Sequence, residues 1–574
     1  MGKFSSTFKH KLRGLFSSEP VEEPLENGPL SSPRLATQWL EHLPVGDALK
    51  AHAAILKEIR QFNEELTELS KSRLEVLMLL DERAQDLADT LARQYLRNAR
   101  MTHSMEGQLW NEIYNLLWET ARSYHAFILY LRQPHANGWL THHLPKLSLR
   151  LMRTFGALMK WRNIRYQRPG DKLWLRFHNL YKVAEGGGFH HTPLHAYPAD
   201  SQATTCETEY LRYLMLQQAH AGTLYPRQLD LVDRWLGKWT PIFLSISQHL
   251  DVNHHTFNVD LAADRGPTRI RNADNESSFR FWATKELVAH LGELRESLKD
   301  GSSPSALGLT EDVRTAEALE LLDHLIRQWS PLMSREQRRQ PRKAVKKLVS
   351  LAHGLPGIIT CLRHPTGEGD GIYTPQLVYD EMVDVQVYGF VTDRTRERSP
   401  QTSILPSAAT GIESWVIQDE SECGYGAIVE TREKDWLRVG TLIAIQADRG
   451  GSWALGILRR LSRTNERESL VGIETLPGTP EVVMLYGQRL KSEGYSVDGV
   501  DAVGADQPVA AIRLSPREPG KACLIMDPAD YQHHAILQIN YQNERQAILL
   551  NHPVERGDGW VRVLADLLKT DSRT

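Results

Sequence analysis

Apolar residues recur along this 574-residue chain at two different periods, and the period changes near residue 340. From about 36 to 165 the spacing is helical. Ile55, Ile59, Phe62, Leu66 and Leu69 step by four and three, and Val76, Leu80, Leu87 and Leu91 continue the stripe across an interruption at Arg73. Residues three and four apart share one helix face, so the stripe predicts a long helical hairpin or a coiled coil. An intramolecular bundle is the first reading and a homodimer seam the second. Trp110, Tyr114, Leu117, Trp118, Tyr124, Phe127, Leu129 and Tyr130 then set aromatic side chains at helical spacing, which reads as core. The signal stops at A-E-G-G-G-F-H-H-T-P-L-H-A-Y-P-A-D-S, an irregular loop between two helical subdomains. Helix returns over 207–245, with Tyr210, Leu211, Leu214, Trp235 and Trp239 on core faces. A short strand-like piece at His254–Leu261 precedes two further helices, about 279–298 and 311–330.

Beyond residue 347 the pattern shortens into runs of β-branched and apolar residues separated by turns. Leu348–Leu351, Val385–Val391, Trp415–Ile417, Ala427–Glu430, Leu442–Gln446, Trp453–Leu458 and Leu470–Ile473 read as strands of a small antiparallel barrel. The stretch 362–412, rich in Gly, Ser and Pro, reads as an insertion. Val482–Leu485, Val509–Leu514, Ala535–Ile539, Gln546–Leu550 and Trp560–Leu564 predict a second small β domain. The chain is too long for one hydrophobic core. The expected organisation is multidomain α+β: a tail and linker (1–35), an all-α region in two parts (36–185 and 203–330), the barrel (331–475) and the C-terminal β domain (476–574).

Charge narrows the function. A net charge of −3 argues against a dedicated nucleic-acid binder, which would carry a strongly basic domain. The four cysteines, Cys206, Cys361, Cys423 and Cys523, are far apart and predict a reducing compartment with neither a disulfide framework nor a zinc site. No apolar run has transmembrane length and no signal-peptide core opens the chain, so the expected location is cytoplasmic. Met1–Phe16 alternates Phe4, Phe8, Leu12, Leu15 and Phe16 with basic residues, a pattern shared by disordered basic tails and by helices that touch a membrane surface. His190, His191, His195, His254 and His255 lack a matching carboxylate or cysteine pattern, so no metal is expected. Neither paired carboxylates nor a nucleophile elbow are present, and the chain is not expected to be an enzyme or to hold a cofactor.

The candidate chemistry lies at the change of period. Ser334–Lys347, S-R-E-Q-R-R-Q-P-R-K-A-V-K-K, gathers seven cations around Glu336. Arg338 and Arg342 are spaced as two guanidinium forks, suited to phosphate or a guanine edge because the group is planar and permanently charged. Downstream, Asp419-Glu-Ser421-Glu-Cys-Gly424 supplies a carboxylate, a hydroxyl and a glycine within one turn.

The ordered pair R-x-x-x-R and D-x-S-x-x-G, followed by L-R-V-G-T-L-I-A-I, W-A-L-G-I-L-R-R and V-G-I-E, resembles the PilZ domain, a bacterial receptor for cyclic di-GMP, over about 331–475. That resemblance implies a cyclic di-GMP site made by Arg338, Arg342, Asp419, Ser421 and Gly424, with Arg335 and Arg339 as accessory contacts. Ligand would draw the arginine loop onto the barrel and reorient the helical module, which would engage a protein partner. The alternative is a PilZ-fold interaction scaffold that binds no nucleotide. The stretch between the motifs is longer than the family's usual few strands.

Overall fold

A computed structural model of the chain describes residues 30–331, 342–363, 412–487 and 508–568, apart from short breaks at 45, 65–68, 99–100, 131–137, 171, 271–276, 311, 431–433, 435, 448–451, 465–467, 516–520 and 542–543. It forms two compact units, one of residues 1–155 with 187–206 and one of 156–186 with 207–574.

In the first unit, helices α1 (Pro33–Glu41), α2 (Ala48–Glu64), α3 (Lys71–Arg97), α4 (His103–Tyr130) and the start of α5 (Gly138–Ile164) form a bundle. Ser32 caps α1 by accepting from the Leu35 amide, with Pro33 at the first helical position. Ser70 caps α3 in the same way, so the stripe read as one long hairpin is carried by two helices. Ile55, Ile59, Phe62, Val76, Leu80, Leu87 and Leu91 are all buried within the chain. Arg73, which interrupts the stripe, lays its guanidinium 4.8 Å over the Phe62 ring and donates to the Phe62 carbonyl. Among the residues of α4 expected in the core, Trp118 and Leu129 instead stay exposed.

One buried arginine holds the irregular loop of this unit. The fully buried Arg150 donates to the Ala196 carbonyl at 2.7 Å and to Tyr124 Oη at 3.2 Å, and it pairs with Asp81 and Glu82. A charge at that depth is tolerable only when paired and hydrogen-bonded. Arg153 adds two 2.8 Å bonds to Asp200 of the same loop.

The second unit takes in the end of α5, α6 (Leu173–Gly186), α7 (Cys206–Gln218) and α8 (Pro226–Phe243). Lys160 bonds Asp230 and Asp233, and Arg212 bonds Asp233, each at 2.7 Å, which ties α5, α7 and α8 together. A small antiparallel sheet follows, β1 (Phe257–Asp260), β2 (Thr268–Arg269) and β3 (Phe279–Trp282), then α9 (Lys285–Lys299) and α10 (Thr315–Trp329). The helix expected from 279 therefore begins only at Lys285. Phe279, Arg280, Phe281 and Trp282 are buried on both faces of a strand paired with β1, and so short a run has no period of its own.

Two closed antiparallel barrels complete the unit. The first has β4 (Lys343–His353), α11 (Leu355–Arg363), β5 (Ile412–Ser421), β6 (Gly424–Glu430), β7 (Leu442–Gln446), β8 (Ala454–Arg463) and β9 (Glu468–Thr475), ordered β4-β5-β6-β9-β8-β7. The second has β10 (Pro480–Gly487), β11 (Val509–Leu514), β12 (Lys521–Met526), β13 (Ile536–Tyr541), β14 (Glu544–Gly557) and β15 (Trp560–Leu567), ordered β10-β11-β12-β15-β14-β13. Numbered from its own first strand, each barrel runs first, second, third, sixth, fifth, fourth. The C-terminal β domain is thus a full barrel with the topology of the first, and Lys521–Met526 is a strand the pattern did not predict. The expected strand Val385–Val391 and all but the edges of the expected insertion lie outside the described residues.

Helices and barrels share cores. Tyr166, in the corner after α5, packs among Val349, Ile417, Leu458 and Val471 inside the first barrel, and its carbonyl accepts from the Arg463 amide at 2.8 Å. Between the barrels, α11 joins Leu442, Leu455, Leu514, Ile525 and Trp560 in one apolar cluster. The buried Trp560 indole donates to the Gly440 carbonyl at 2.9 Å. Arg459 bonds Glu474 at 2.6 Å and also Glu555 of the second barrel. Tyr225, at the start of α8, closes the same seam and donates to the Arg556 carbonyl at 3.3 Å. Among the described residues no helix is long and apolar enough to cross a membrane.

Gly440 is the tightest point of this seam. Its φ is +84°, and a Cβ there would lie 2.0 Å from Tyr225 Oη. Gly440→Ala combines left-handed strain with overpacking and should lower the unfolding free energy by about 2–4 kcal/mol. Urea denaturation reads the loss. Gly292→Ala, in α9 with nothing within 4 Å of the new methyl, should be neutral or slightly stabilising.

Candidate functional site

The second motif sits on the hairpin that joins β5 to β6. Ser421 pairs with Gly424 across a turn made by Glu422 and Cys423, and Asp419 pairs with Gly426. The register of β5 slips between Ile417 and Asp419, and that of β4 slips between Ala344 and Lys347. Such bulges re-aim side chains. Here Ile417 stays in the core while Asp419, two residues on, turns outward over β6.

The first motif comes to the same place from the adjacent strand. Ala344 of β4 is the cross-strand partner of Asp419, and Arg342 lies two residues earlier, on the same face. Its Nη1 donates to Asp419 Oδ1 at 2.7 Å. The two motifs, 77 residues apart in the chain, thus meet in an ion pair. Arg342 and Asp419 are 38% and 35% exposed, so the pair is worth at most about 1 kcal/mol. A ligand offering charge to Arg342 or N–H donors to Asp419 can replace it at little cost. Of the remaining expected residues, Ser421 and Gly424 belong to the hairpin, while Arg335, Arg338 and Arg339 lie outside the described residues.

Two of these residues have structural duties. The Ser421 hydroxyl donates to the Gly424 carbonyl at 3.2 Å, which fastens the hairpin. A Cβ on Gly424 would lie 2.0 Å from the Ile473 carbonyl oxygen of β9. The close approach that excludes a side chain at Gly424 is therefore first to the neighbouring strand.

Two more glycines shape the surface beside Asp419. A Cβ on Gly426 would lie 2.6 Å from the Asp419 carboxylate, so this glycine makes the space that the aspartate occupies. Gly426 pairs with Gly472 of β9, and Gly472 with Arg460 of β8. The row Asp419, Gly426, Gly472, Arg460 crosses four strands, with the Asp419 carboxylate lying over Gly426 and the Arg460 side chain beside Gly472. Three strand spacings make it about 14 Å long. A third slip, between Leu458 and Arg460, sets the far end. Sequence reasoning missed Gly426, Gly472 and Arg460. The signal for the first was glycine two residues after glycine in a strand, which marks close backbone approach.

Gly424→Ala should cost at least about 2 kcal/mol of stability, because the clash is with backbone that cannot step aside. Ser421→Ala should cost about 1 kcal/mol or less, the net worth of one hydrogen bond. Thermal unfolding of the two variants checks the order, and equal losses would contradict the assigned contacts.

No curated protein and no solved structure matches the chain. Residues 34–245, which run from α1 through α8, match the family described as the N-terminal domain of the cyclic-di-GMP receptor FimW.

Proposed function

We propose that the chain is a non-enzymatic cyclic di-GMP effector whose first barrel is a PilZ-type receptor. The observation that carries this reading is the Arg342–Asp419 contact, which brings both expected motifs to one end of one barrel. The family match supports it independently, since residues 34–245 overlap neither motif. The ligand is a dianion with two guanines. Arg342, with Arg338 from the same motif, supplies the forks for phosphate or for guanine O6 and N7. Asp419 accepts from the N–H groups on the other guanine edge. Gly472, without a side chain, leaves room beside Asp419 for the plane of a base. Arg335 and Arg339 serve as accessory cations.

Binding exchanges a weak internal ion pair for stronger charge-assisted contacts. Arg342 lies between α10 and the first strand of the barrel, so its recruitment pulls on the segment that ties barrel to helices. Reorientation of the helical module is the proposed output. A scaffold that keeps the fold without binding nucleotide is the second reading, because Arg342 and Asp419 already satisfy each other.

Calorimetric titration with cyclic di-GMP separates the two. The receptor reading expects saturable binding at micromolar protein, weakened by about 1–3 kcal/mol in Arg342→Ala and in Asp419→Ala. Absence of heat leaves the scaffold, and unchanged affinity in both variants would put the site elsewhere on the chain. Small-angle X-ray scattering with and without ligand tests the output, and identical profiles at saturation would reject the reorientation.

A further inference from the structure

A cavity of about 240 Å³ lies where the corner after α5 and the single turn Ala221–Thr223 meet strand β8 of the first barrel. Arg168, His220 and Arg460 line it together with Asn163, Gln217 and Ser462, and its wall contains no aspartate or glutamate. Arg168 and Arg460 form no ion pair among the described residues. Both side chains are exposed at the surface and line this polar cavity.

The walls are fixed by backbone. The Arg463 amide bonds the Tyr166 carbonyl, and Gln167 forms a parallel bridge with Arg463, which locks the corner onto β8. A Cβ on Gly222 would lie 2.7 Å from the Leu461 carbonyl oxygen, so the turn is also seated directly on the strand. His220 holds a left-handed conformation, φ 55°, at the mouth of the turn. Asn163 and Gln217 bond each other at 3.0 Å, leaving one amide N–H₂ of Gln217 to donate elsewhere. The cavity is thus a preformed space with donors on several sides and a single sign of charge.

We infer that this cavity is an anion-binding site that takes a phosphate group, with Arg460 and Arg168 as its cationic walls. A cleft lined by one sign of charge concentrates the opposite sign, and a guanidinium suits a phosphate oxygen pair. Arg460 also ends the row that begins at Asp419. The phosphate can therefore come from the cyclic dinucleotide proposed above or from a separate phosphate compound. His220 adds a pH readout. Loss of water and then His324, Arg460 and Arg269, which face it from α10, β8 and β2, hold its pKa below the ordinary imidazole value. An anion beside it favours the charged form, so binding takes up a proton and tightens as pH falls.

Two probes test the site in the full chain: inorganic pyrophosphate and cyclic di-GMP, each titrated by calorimetry into wild type, Arg460→Ala, Arg168→Ala and Arg342→Ala. The expected result is at least a tenfold loss of affinity in Arg460→Ala for one probe or both, with a smaller loss in Arg168→Ala. Loss for both probes assigns the phosphate to the dinucleotide, and loss for pyrophosphate alone assigns it to a separate compound. Sulfate, whose charge is constant between pH 6 and 8, should bind more tightly at the lower pH in wild type and lose that dependence in His220→Gln. Affinities for both probes unchanged in Arg460→Ala and Arg168→Ala overturn the site. The receptor reading is judged apart, by the response of cyclic di-GMP binding to Arg342→Ala.

Discussion

A tryptophan wedged between two barrels organises the second unit. The Trp560 indole is fully buried and must find an acceptor, which it does at the Gly440 carbonyl. Gly440 holds a left-handed backbone at that bond, and Tyr225 occupies the space where a side chain would stand. The second barrel, the first barrel and α8 are therefore fastened at one point. The surrounding cluster does most of the holding, since each large apolar side chain buried there contributes about 1.5–3 kcal/mol. Exposed ion pairs contribute about 1 kcal/mol at most, so packing rather than charge sets the geometry.

Around that fixed seam the candidate site is assembled from weak parts on a strong frame. Strand pairing, the register slips in β4 and β5 and Gly426 determine where Asp419 stands, and none of these depends on the Arg342 contact. The contact itself is cheap to break. A receptor needs this combination: a frame that does not relax when ligand leaves, and a resting interaction that the ligand outbids.

Much of the architecture was legible in the pattern of the chain. The switch from period 3.6 to period 2 separated helices from barrels, and most strands fell where alternation placed them. The failures are physical ones. Phe279–Trp282 is too short and too uniformly buried to show a period, so its neighbour's helical signal absorbed it. Lys521–Met526 holds a single β-branched residue, Ile525, and shows no alternation of apolar and polar positions, so it is defined by its partners β11 and β15. Ring closure rests on pairings between distant strands, which periodicity does not report. At the site, motif spacing identified Asp419 and Arg342, whereas Gly472 and Arg460 enter only through cross-strand register. The structural duty of Gly424 was likewise invisible, because the atom it avoids belongs to Ile473.

The two barrels share a topology but not the length of chain between their first two strands. In the first, residues 354–411 separate β4 from β5; in the second, residues 488–508 separate β10 from β11. A finished second barrel presents Trp560 and β12 as a surface on which the first can complete itself. Arg342 meets Asp419 only once β4 and β5 have paired, so a ligand bound across them adds its binding free energy to that closure. A molecule recognised there would act as a folding cofactor as well as a signal.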